Sequence, residues 1–390
     1  MTTLLRGGRL LDARGERASL DEQGARGERG GNAWVLLDGD AIAATGTSGA
    51  EAPAADTTVD LGDATLVPGF LDLHVHGGGG HAMDDGDGAL EQALAAHRRH
   101  GTTRSVVSLV ASPLAEARER LAEIAAVTAR DPRVLGTHLE GPFLNPERRG
   151  AHEAAFLRHP DPETVEGLFE AAAGTLRQVT IAPELPGALD AIARLSSDGV
   201  VVAVGHTEAD EATVRSAFDA GARLLTHAFN AMPGIHHRAP GPVIAAIDDE
   251  RVTIELILDG LHVHPHVAKV LWDAAPDRVA LVTDAMAAAA EADGDYRLGT
   301  LNVTVKNGLA LLSGTETIAG STLTLDVALR QAIAMGAEPA AAIAALTTVP
   351  ARALREERLG LLEPGYAGDV VALDASWNIV EVWAAGRRIE

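Results

Sequence analysis

The sequence predicts an α/β protein whose central part is a (β/α)8 TIM barrel. Eight strand-like runs alternate with helical runs between about residues 67 and 347. Histidine or a carboxylate ends several of the strand-like runs, as is typical of the rim of such a barrel. The alternative fold is an open doubly wound sheet, but no glycine fingerprint is placed to bind a dinucleotide.

Both ends of the chain carry short β-type runs. The run "AWVLLDGDAIAAT" lies near the start, and "GDVVALDASWNIVEVWAAGRRI" closes the chain. We therefore expect residues 1–66 and 348–390 to form one small, discontinuous β domain, and residues 67–347 to form the barrel. The Gly/Arg/Glu-rich segment 13–31 indicates a flexible loop or insertion, to which the sequence assigns no function.

The predicted strands follow one another at barrel-like intervals. They are "FLDLHV" (70–75), "RSVVSLV" (104–110), "VLGTHLE" (134–140), "QVTIA" (178–182), "VVVAVGH" (200–206), "RLLTH" (223–227), "VTIELIL" (252–258) and "VALVTD" (279–284). Helical spacing marks the segments between them, among them "GALEQALAAHRRH", "LAEARERLAEIAAVTAR", "EADEATVRSAFDAG" and "PHVAKVLWDAA".

Composition excludes several classes of partner. The formal net charge of −23 argues against nucleic acid and against an anionic membrane surface. The chain has no cysteine, so disulfides and thiolate metal ligands are excluded. The first residues lack the apolar region of a signal peptide, and no run approaches the ~20 apolar residues of a membrane span. We expect a cytoplasmic protein.

The motif "FLDLHVHGGGG" suggests a metal site at the end of the first barrel strand. His74 and His76 are two residues apart, so both imidazoles leave the same face of the strand, and the glycines allow the backbone to turn beside them. Other strand ends supply further imidazoles and carboxylates: Glu140, His206, His227 and Asp284. Without cysteine, this ligand set suits zinc or another borderline divalent ion.

The remaining histidines carry weaker signals. His138 precedes Glu140 by two residues and should point into the barrel, either as a packed, hydrogen-bonded residue or as a functional one. We expect histidines in helical or loop segments to lie on the surface: His97, His100 and His159. Four others lie close to the motifs in sequence and are expected to be supportive or exposed: His236, His237, His264 and His266.

Several motifs together resemble the N-acetylglucosamine-6-phosphate deacetylases, a family of the amidohydrolase superfamily. The motifs are "PGFLDLHVHGGGG", "HLEGPFLNPERRGAH", "VAVGHTEA", "THAFNAM", "DGLHV", "LVTDAM" and "AGST", in this order over most of the chain. The resemblance implies a barrel with a small β-sandwich domain built from both chain ends. It also implies hydrolysis of N-acetylglucosamine 6-phosphate to glucosamine 6-phosphate and acetate.

The resemblance also implies roles for individual residues. Glu140, His206 and His227 look like ligands of the main metal ion, and Asp284 looks like the catalytic acid and base. His262, in "DGLHV", resembles the histidine that polarises the substrate carbonyl. Further positions resemble the family's substrate contacts: His152, Asn230, Ala231 and Arg238. In the family this arginine reaches across from the neighbouring subunit, which implies a homodimer.

The number of metal ions and the substrate leave alternatives open. Because both His74 and His76 are present, a second ion bridged through Glu140 is expected; zinc is favoured, and Fe, Mn, Co and Cd are the other candidates. Cyclic-amide hydrolases of the superfamily often use a carboxylated lysine, but Lys269 and Lys306 lie at no strand end of the barrel. A deacetylase for another N-acetyl amino sugar and a non-catalytic sugar-phosphate-binding barrel are the remaining alternatives.

Overall fold

The computed structural model describes residues 1–16, 33–47 and 50–390. Short strands form the first part of the chain: β1 (Thr2–Gly7), β2 (Arg9–Asp12), β3 (Gly15–Glu16), β4 (Ala33–Asp38), β5 (Ala41–Gly46), β6 (Thr57–Asp60) and β7 (Thr65–Pro68). Of the predicted loop 13–31, residues 15 and 16 pair with β2, and the part from residue 17 onward lies outside the described residues.

The next strands include those of the barrel. They are β8 (Phe70–Val75), β9 (Gly77–Gly78), β10 (His81–Ala82), β11 (Thr102–Val110), β12 (Val134–Glu140), β13 (Leu176–Ile181), β14 (Val201–Val204), β15 (Leu224–Leu225), β16 (Thr253–Ile257) and β17 (Val279–Val282). In the described part of the chain, eight of them form one sheet in the order β17-β16-β15-β14-β13-β12-β11-β8. Most of these strands are buried along their whole length, as both faces of a parallel barrel sheet require.

The last strand of this sheet returns to the first. The amide of Asp284 donates to the carbonyl of His74 at 2.8 Å, and Val75 forms a parallel bridge with Ala285. These contacts join the end of β17 to the end of β8, so the predicted (β/α)8 barrel is confirmed.

Helices connect the barrel strands and continue beyond them. They are α1 (Asp87–Arg99), α2 (Leu114–Arg130), α3 (Pro162–Ala171), α4 (Ala188–Ser197), α5 (Glu211–Ala220), α6 (Gly241–Asp248), α7 (Pro265–Ala274), α8 (Leu325–Ala334), α9 (Pro339–Leu346) and α10 (Thr348–Ala353). In α2, Leu121, Ile124 and Val127 are buried at helical spacing. Asp210 caps α5 by accepting a hydrogen bond from the amide of Thr213 at 2.9 Å.

A small antiparallel sheet follows the last barrel strand and was not predicted. Its strands are β18 (Gly294–Leu298), β19 (Leu301–Lys306) and β20 (Leu309–Leu312). Val303 and Val305 pack with Met286 in one apolar cluster. The alternation of buried and exposed residues in β19 is the usual pattern of a sheet with one solvated face.

The end of the chain forms the strands β21 (Val370–Leu373), β22 (Ile379–Ala384) and β23 (Arg387–Arg388). Strand β21 pairs with β7 in a sheet of order β23-β22-β21-β7-β2-β3, while β1 belongs to a second sheet of order β5-β4-β1-β6. Residues of both sheets share one apolar cluster, which includes Val35, Leu66 and Trp383.

The chain divides into two compact units. One comprises Met1–Leu71, His97–Arg104 and Leu325–Glu390, and the other comprises Asp72–Ala96 and Ser105–Thr324. The division at residues 66/67 and 347/348 stays a prediction.

His97 is buried, not on the surface as the sequence suggested, whereas His159 is exposed. Among the helices of the described residues, none combines the length and the apolar character of a membrane span, and the cytoplasmic location stays a prediction.

Candidate active site

The two histidines of the first motif meet at the carboxyl end of β8. Both are buried, and their Nε2 atoms lie 3.1 Å apart. His74 lies within β8, while the amide of His76 donates to the carbonyl of Ala285 at 2.8 Å. The motif therefore turns both Nε2 atoms towards one point at the barrel mouth.

Glu140 lies at the centre of the site, at the end of β12. Its Oε1 atom is 3.0 Å from Nε2 of His227 and 3.1 Å from Nε2 of His206. Its Oε2 atom is 3.1 Å from Nε2 of His76 and 3.4 Å from Nε2 of His152. One carboxylate therefore faces two sets of imidazoles through its two oxygens.

Asp284 completes the cluster from the loop after β17. Its Oδ1 atom lies 3.5 Å from Nε2 of His74 and 3.4 Å from Nε2 of His76. Two overlapping sets of side chains share Glu140 and are close enough to hold a metal ion: His74, His76, Glu140 and Asp284, and Glu140, His152 and His206. The side chain of Asp284 is 13% exposed against 5% for Glu140, so Asp284 is the more accessible carboxylate.

Three of these residues lie beyond the strands in which the sequence placed them. Strands β14, β15 and β17 end two residues before His206, His227 and Asp284, respectively. Each of the three has a positive φ, of 49°, 24° and 47°. Such a conformation is uncommon for residues other than glycine and costs on the order of 1–3 kcal/mol. The backbone therefore leaves the strand before each ligand, a turn that a pattern of period two does not reveal.

Gly205 lets the backbone approach its neighbours just before His206. A Cβ atom at this position would lie 2.8 Å from the Cβ atom of Thr226 and 3.0 Å from Cγ2 of Thr180. The glycine of the motif "VAVGH" is therefore required by close packing within the barrel.

The two carboxylates of the site are held ionised by the positive charge and hydrogen bonds around them. Burial raises the pKa of the Glu140 carboxyl, but the charge of His74 and hydrogen bonds from other imidazoles outweigh it, so the pKa falls well below its usual value. A similar balance lowers the pKa of Asp284 to about 2. Burial lowers the pKa of His76, yet contacts with Asp284 and Glu140 outweigh burial and raise it to about 9. Two ionised carboxylates thus attract positive charge, which a divalent cation supplies when it displaces the imidazole protons.

The outer nitrogens of two imidazoles fit this reading. Nδ1 of His74 lies 3.1 Å from Oε2 of Glu255, and Nδ1 of His206 lies 2.8 Å from the carbonyl oxygen of Arg148. An Nδ1–H group that donates to these oxygens leaves the lone pair on Nε2, which faces the cluster. The donor set and its tautomers therefore suit a divalent metal ion.

His262 is oriented by a residue that sequence reasoning missed. Nδ1 of His262 lies 2.6 Å from Oδ2 of Asp259, whose Oδ1 accepts hydrogen bonds from the amides of Leu261 and His262 at 2.8 and 2.9 Å. Burial raises the pKa of Asp259, but the contact with His262 outweighs it and lowers the pKa. The spacing in "DGLH" was the available signal, since a turn of three residues places an aspartate beside a histidine.

A cavity of about 470 Å³ lies above the cluster. It is lined by His262, Asn230 and Ala231, and also by Arg148 and Arg149, for which no role was predicted from the sequence. Arg149 donates from Nη1 to the carbonyl of His152 at 2.9 Å, and Arg148 pairs with Glu208.

Arg238 does not line this cavity. It is exposed, and its Nη1 atom lies 2.7 Å from Nε2 of His237. The structure thus brings together every proposed site residue except Arg238, for which the family resemblance implies a role in a neighbouring subunit.

His138 is a packed histidine. Its Nδ1 atom lies 3.0 Å from Oγ of Ser108, and its Nε2 atom lies 2.8 Å from Oγ1 of Thr180. Burial, followed by the charge of His74, brings its pKa well below the usual value. Both ring nitrogens have partners, so the first of the two readings of His138 applies.

Comparison with known proteins gives consistent matches. The model of the amidohydrolase family matches residues 65–389. An N-acetylgalactosamine-6-phosphate deacetylase of Escherichia coli O157:H7 is 40% identical over 329 residues, 83% of this chain and 87% of that protein. An N-acetylglucosamine-6-phosphate deacetylase of Vibrio furnissii is 35% identical over 339 residues, 85% of this chain and 84% of that protein.

Solved structures extend the similarity to the whole chain. A mutant N-acetyl-D-glucosamine-6-phosphate deacetylase from Mycobacterium smegmatis, in complex with N-acetyl-D-glucosamine 6-phosphate, has a TM-score of 0.92 and 40% identity. The match covers 100% of this chain and 99% of that one.

Proposed function

The chain belongs to the amidohydrolase family, and we propose that this hydrolase removes the acetyl group of N-acetylglucosamine 6-phosphate to give glucosamine 6-phosphate and acetate. The observation that carries the proposal is the convergence of imidazoles on Glu140 beneath a cavity that His262 and Asp284 also line. Relatives that act on amino-sugar phosphates support the substrate class.

The family implies a divalent metal ion, and the cluster suits one or two. Glu140, His206 and His227 would hold the first ion, and His74, His76 and Asp284 would join Glu140 around the second. Zinc is the proposed ion, because imidazole and carboxylate ligands without thiolate suit it. Such an ion polarises an amide carbonyl and lowers the pKa of water to about 7.

Asp284 is the proposed proton carrier. Its carboxylate is the more exposed one of the cluster and is ionised, so it can accept a proton from the attacking water. The oxygen of this water bonds to the acetyl carbon, and the bond from that carbon to nitrogen breaks. Asp284 then returns the proton to the nitrogen, which leaves as the amine of the sugar.

His262 is the proposed partner of the substrate carbonyl oxygen. Asp259 holds its Nδ1 atom, which leaves Nε2 as the ring nitrogen available to the cavity. A proton on Nε2 would stabilise negative charge that develops on that oxygen, an effect worth roughly 3 kcal/mol at comparable sites.

The phosphate is proposed to bind Arg238 of the neighbouring subunit. Asn230, Ala231 and His152 would contact the sugar in the same subunit. Arg238 is exposed and outside its own cavity, which supports the homodimer in which it enters the partner's cavity. The net charge of −23 repels an anionic ligand, so local guanidinium groups are needed to bind it.

N-acetylgalactosamine 6-phosphate is the second candidate substrate. The observation that favours it is the 40% identity to the Escherichia coli deacetylase that carries this name. The two sugars differ in the orientation of one hydroxyl group, while the acetamide and the phosphate are the same.

Acetate release from purified, metal-loaded protein tests the proposal. The substrates are the 6-phosphates of N-acetylglucosamine, N-acetylgalactosamine and N-acetylmannosamine, with unphosphorylated N-acetylglucosamine as the control. The highest kcat/KM on N-acetylglucosamine 6-phosphate supports the proposal. A higher value on the galactosamine isomer assigns the second candidate, and release from none of them refutes both.

A further inference from the structure

A buried carboxylate with no assigned role lies beneath the metal cluster. Glu255 is in the middle of β16, in the mainly apolar run "VTIELIL", and its exposed fraction is 0%. Among the ion pairs of the described residues, none joins Glu255 to an arginine or lysine. Burying a carboxylate without such a partner is costly, so its persistence in this strand requires compensation.

The hydrogen bonds of Glu255 lead to two of the proposed ligands. Its Oε2 atom lies 3.1 Å from Nδ1 of His74 and accepts a hydrogen bond from the backbone amide of His227 at 3.3 Å. Its Oε1 atom accepts from Nε2 of Gln178, on β13, at 2.9 Å. Glu255 therefore contacts both His74, which lies beside His76, and His227, which lies beside His206.

Both contacts act on ligand geometry. When the Nδ1–H group of His74 donates to Glu255, the lone pair of the ring is on Nε2. This Nε2 atom lies 3.3 Å from Oε1 of Glu140. His227 has a positive φ of 24°, and the hydrogen bond to its amide holds the backbone in that conformation. Among the described residues, Nδ1 of His227 has no hydrogen-bond partner. The backbone amide of His227 is therefore the group through which Glu255 restrains this ligand.

We propose that Glu255 is a positioning residue of the metal centre, which fixes the tautomer of His74 and the backbone of His227 and so sets the affinity of both halves of the site. The buried negative charge of Glu255 is then compensated through His74 by the bound cation. This inference rests on the metal site of the proposed function. Partners of this kind change metal affinity by about 10- to 100-fold when they are removed.

Two substitutions separate the charge of Glu255 from its hydrogen bonds. In Glu255→Gln the side chain keeps its shape and one acceptor oxygen, and Gln178 can turn its amide to match. In Glu255→Leu the volume is similar, but Nδ1 of His74 and the amide of His227 lose their acceptor. The matched control is Thr180→Val, since Thr180 is also buried in the barrel and contacts His138 and Thr226 but no proposed ligand.

The measurement is Co²⁺ affinity of chelator-stripped, full-length protein, read from the d–d absorption in competition with a chelator. We expect about 10-fold weaker binding and an altered spectrum for Glu255→Gln, about 100-fold weaker binding for Glu255→Leu, and wild-type binding for Thr180→Val. Wild-type affinity and spectrum in both Glu255 variants overturn the proposal, as does an equal loss in Thr180→Val. Wild-type protein that binds no Co²⁺ refutes the metal site itself.

A measurement on wild-type protein decides the question if the Glu255 variants do not fold. Neutron diffraction of the Zn²⁺-loaded protein shows where the deuteron of His74 lies. A deuteron on Nδ1, directed at Oε2 of Glu255, supports the proposal, and a bare Nδ1 atom overturns it.

Discussion

The Nε2 atoms of His206 and His227 lie 3.0 Å apart. Two neutral imidazoles at this distance cannot both direct a lone pair at the other without repulsion, and both also face Oε1 of Glu140. A cation between them would remove that repulsion, so the arrangement suits a bound metal ion.

Metal removal should abolish acetate release and lower thermal stability. Because the ligands are together only in the folded chain, a metal present at 100 times its Kd adds about 2.7 kcal/mol to the free energy of unfolding. Calorimetry of stripped and Zn²⁺-reloaded protein checks this, with activity measured in parallel. His206→Asn is the control, in which reloading with Zn²⁺ should restore little thermal stability and little acetate release. Full stabilisation of that variant by Zn²⁺ would contradict the ligand assignment.

Asp284→Asn should lower kcat by about 10²- to 10⁴-fold, because the amide cannot accept the proton of water. KM should change little, since the substrate contacts remain. Steady-state kinetics, with metal content determined on the same sample, checks this. Asp198→Asn, which removes an exposed ion pair with Arg194, is the control and should keep wild-type kcat. Near-native kcat in Asp284→Asn rejects the assignment.

Asp259→Asn should lower kcat through His262. The variant keeps the shape of the side chain but loses the carboxylate that lies beside Nδ1 of His262 and orients the ring, so we expect a loss in kcat of about tenfold. His262→Ala should lose about 10²-fold or more. The double variant should be no slower than His262→Ala, because Asp259 acts only through that residue. Additive losses in kcat would show that Asp259 acts on its own.

Arg238→Ala should raise KM for the phosphorylated substrate by at least tenfold and leave that of the unphosphorylated sugar unchanged, because a charge-assisted contact to phosphate is lost. Kinetics on both sugars checks this. Arg251→Ala is the control, since Arg251 is exposed and pairs with Asp249 and Asp219. An equal rise in KM for both sugars would contradict a phosphate contact.

Mixing two impaired variants tests whether Arg238 acts across a dimer. In a heterodimer of Arg238→Ala and Asp284→Asn subunits, one site has both an intact Asp284 and the partner's Arg238. Subunit exchange should therefore restore activity at low substrate concentration to about a quarter of the wild-type value, on the assumption of random pairing. No recovery despite exchange, shown by light scattering and tagged subunits, would place Arg238 in its own subunit's site or in none.

Asp369→Ala should destabilise the protein without touching the site. Oδ2 of Asp369 lies 2.5 Å from Nε of Arg104, both side chains are 8% exposed, and Oδ1 also accepts from the amide of Ala385 at 2.7 Å. Removing one partner leaves a buried charge and costs about 3–5 kcal/mol. Urea denaturation checks this, and kcat at low temperature should be unchanged. A loss below 1 kcal/mol, as for an exposed pair, would show that water reaches Arg104.

The barrel could be predicted because its strands and helices are locally consistent. The predicted bounds of β8, β12 and α2 agree with the structure to the residue, since apolar runs of strand length and helical spacing are properties of each segment. Predictions for β14 and β15 were too long at their carboxyl ends. In both cases the chain leaves the sheet to place a histidine, and no local pattern records that departure.

The sequence by itself determined the fold, the family and the kind of chemistry, because these depend on periodicity, on residue type and on motifs of short range. The tertiary structure decided which atoms meet. It brought Glu140 between imidazoles that follow three other strands, and set Glu255 of one strand against His74 of another, 181 residues away. Such contacts depend on barrel closure and strand register, which join segments that carry no information about each other in the linear chain.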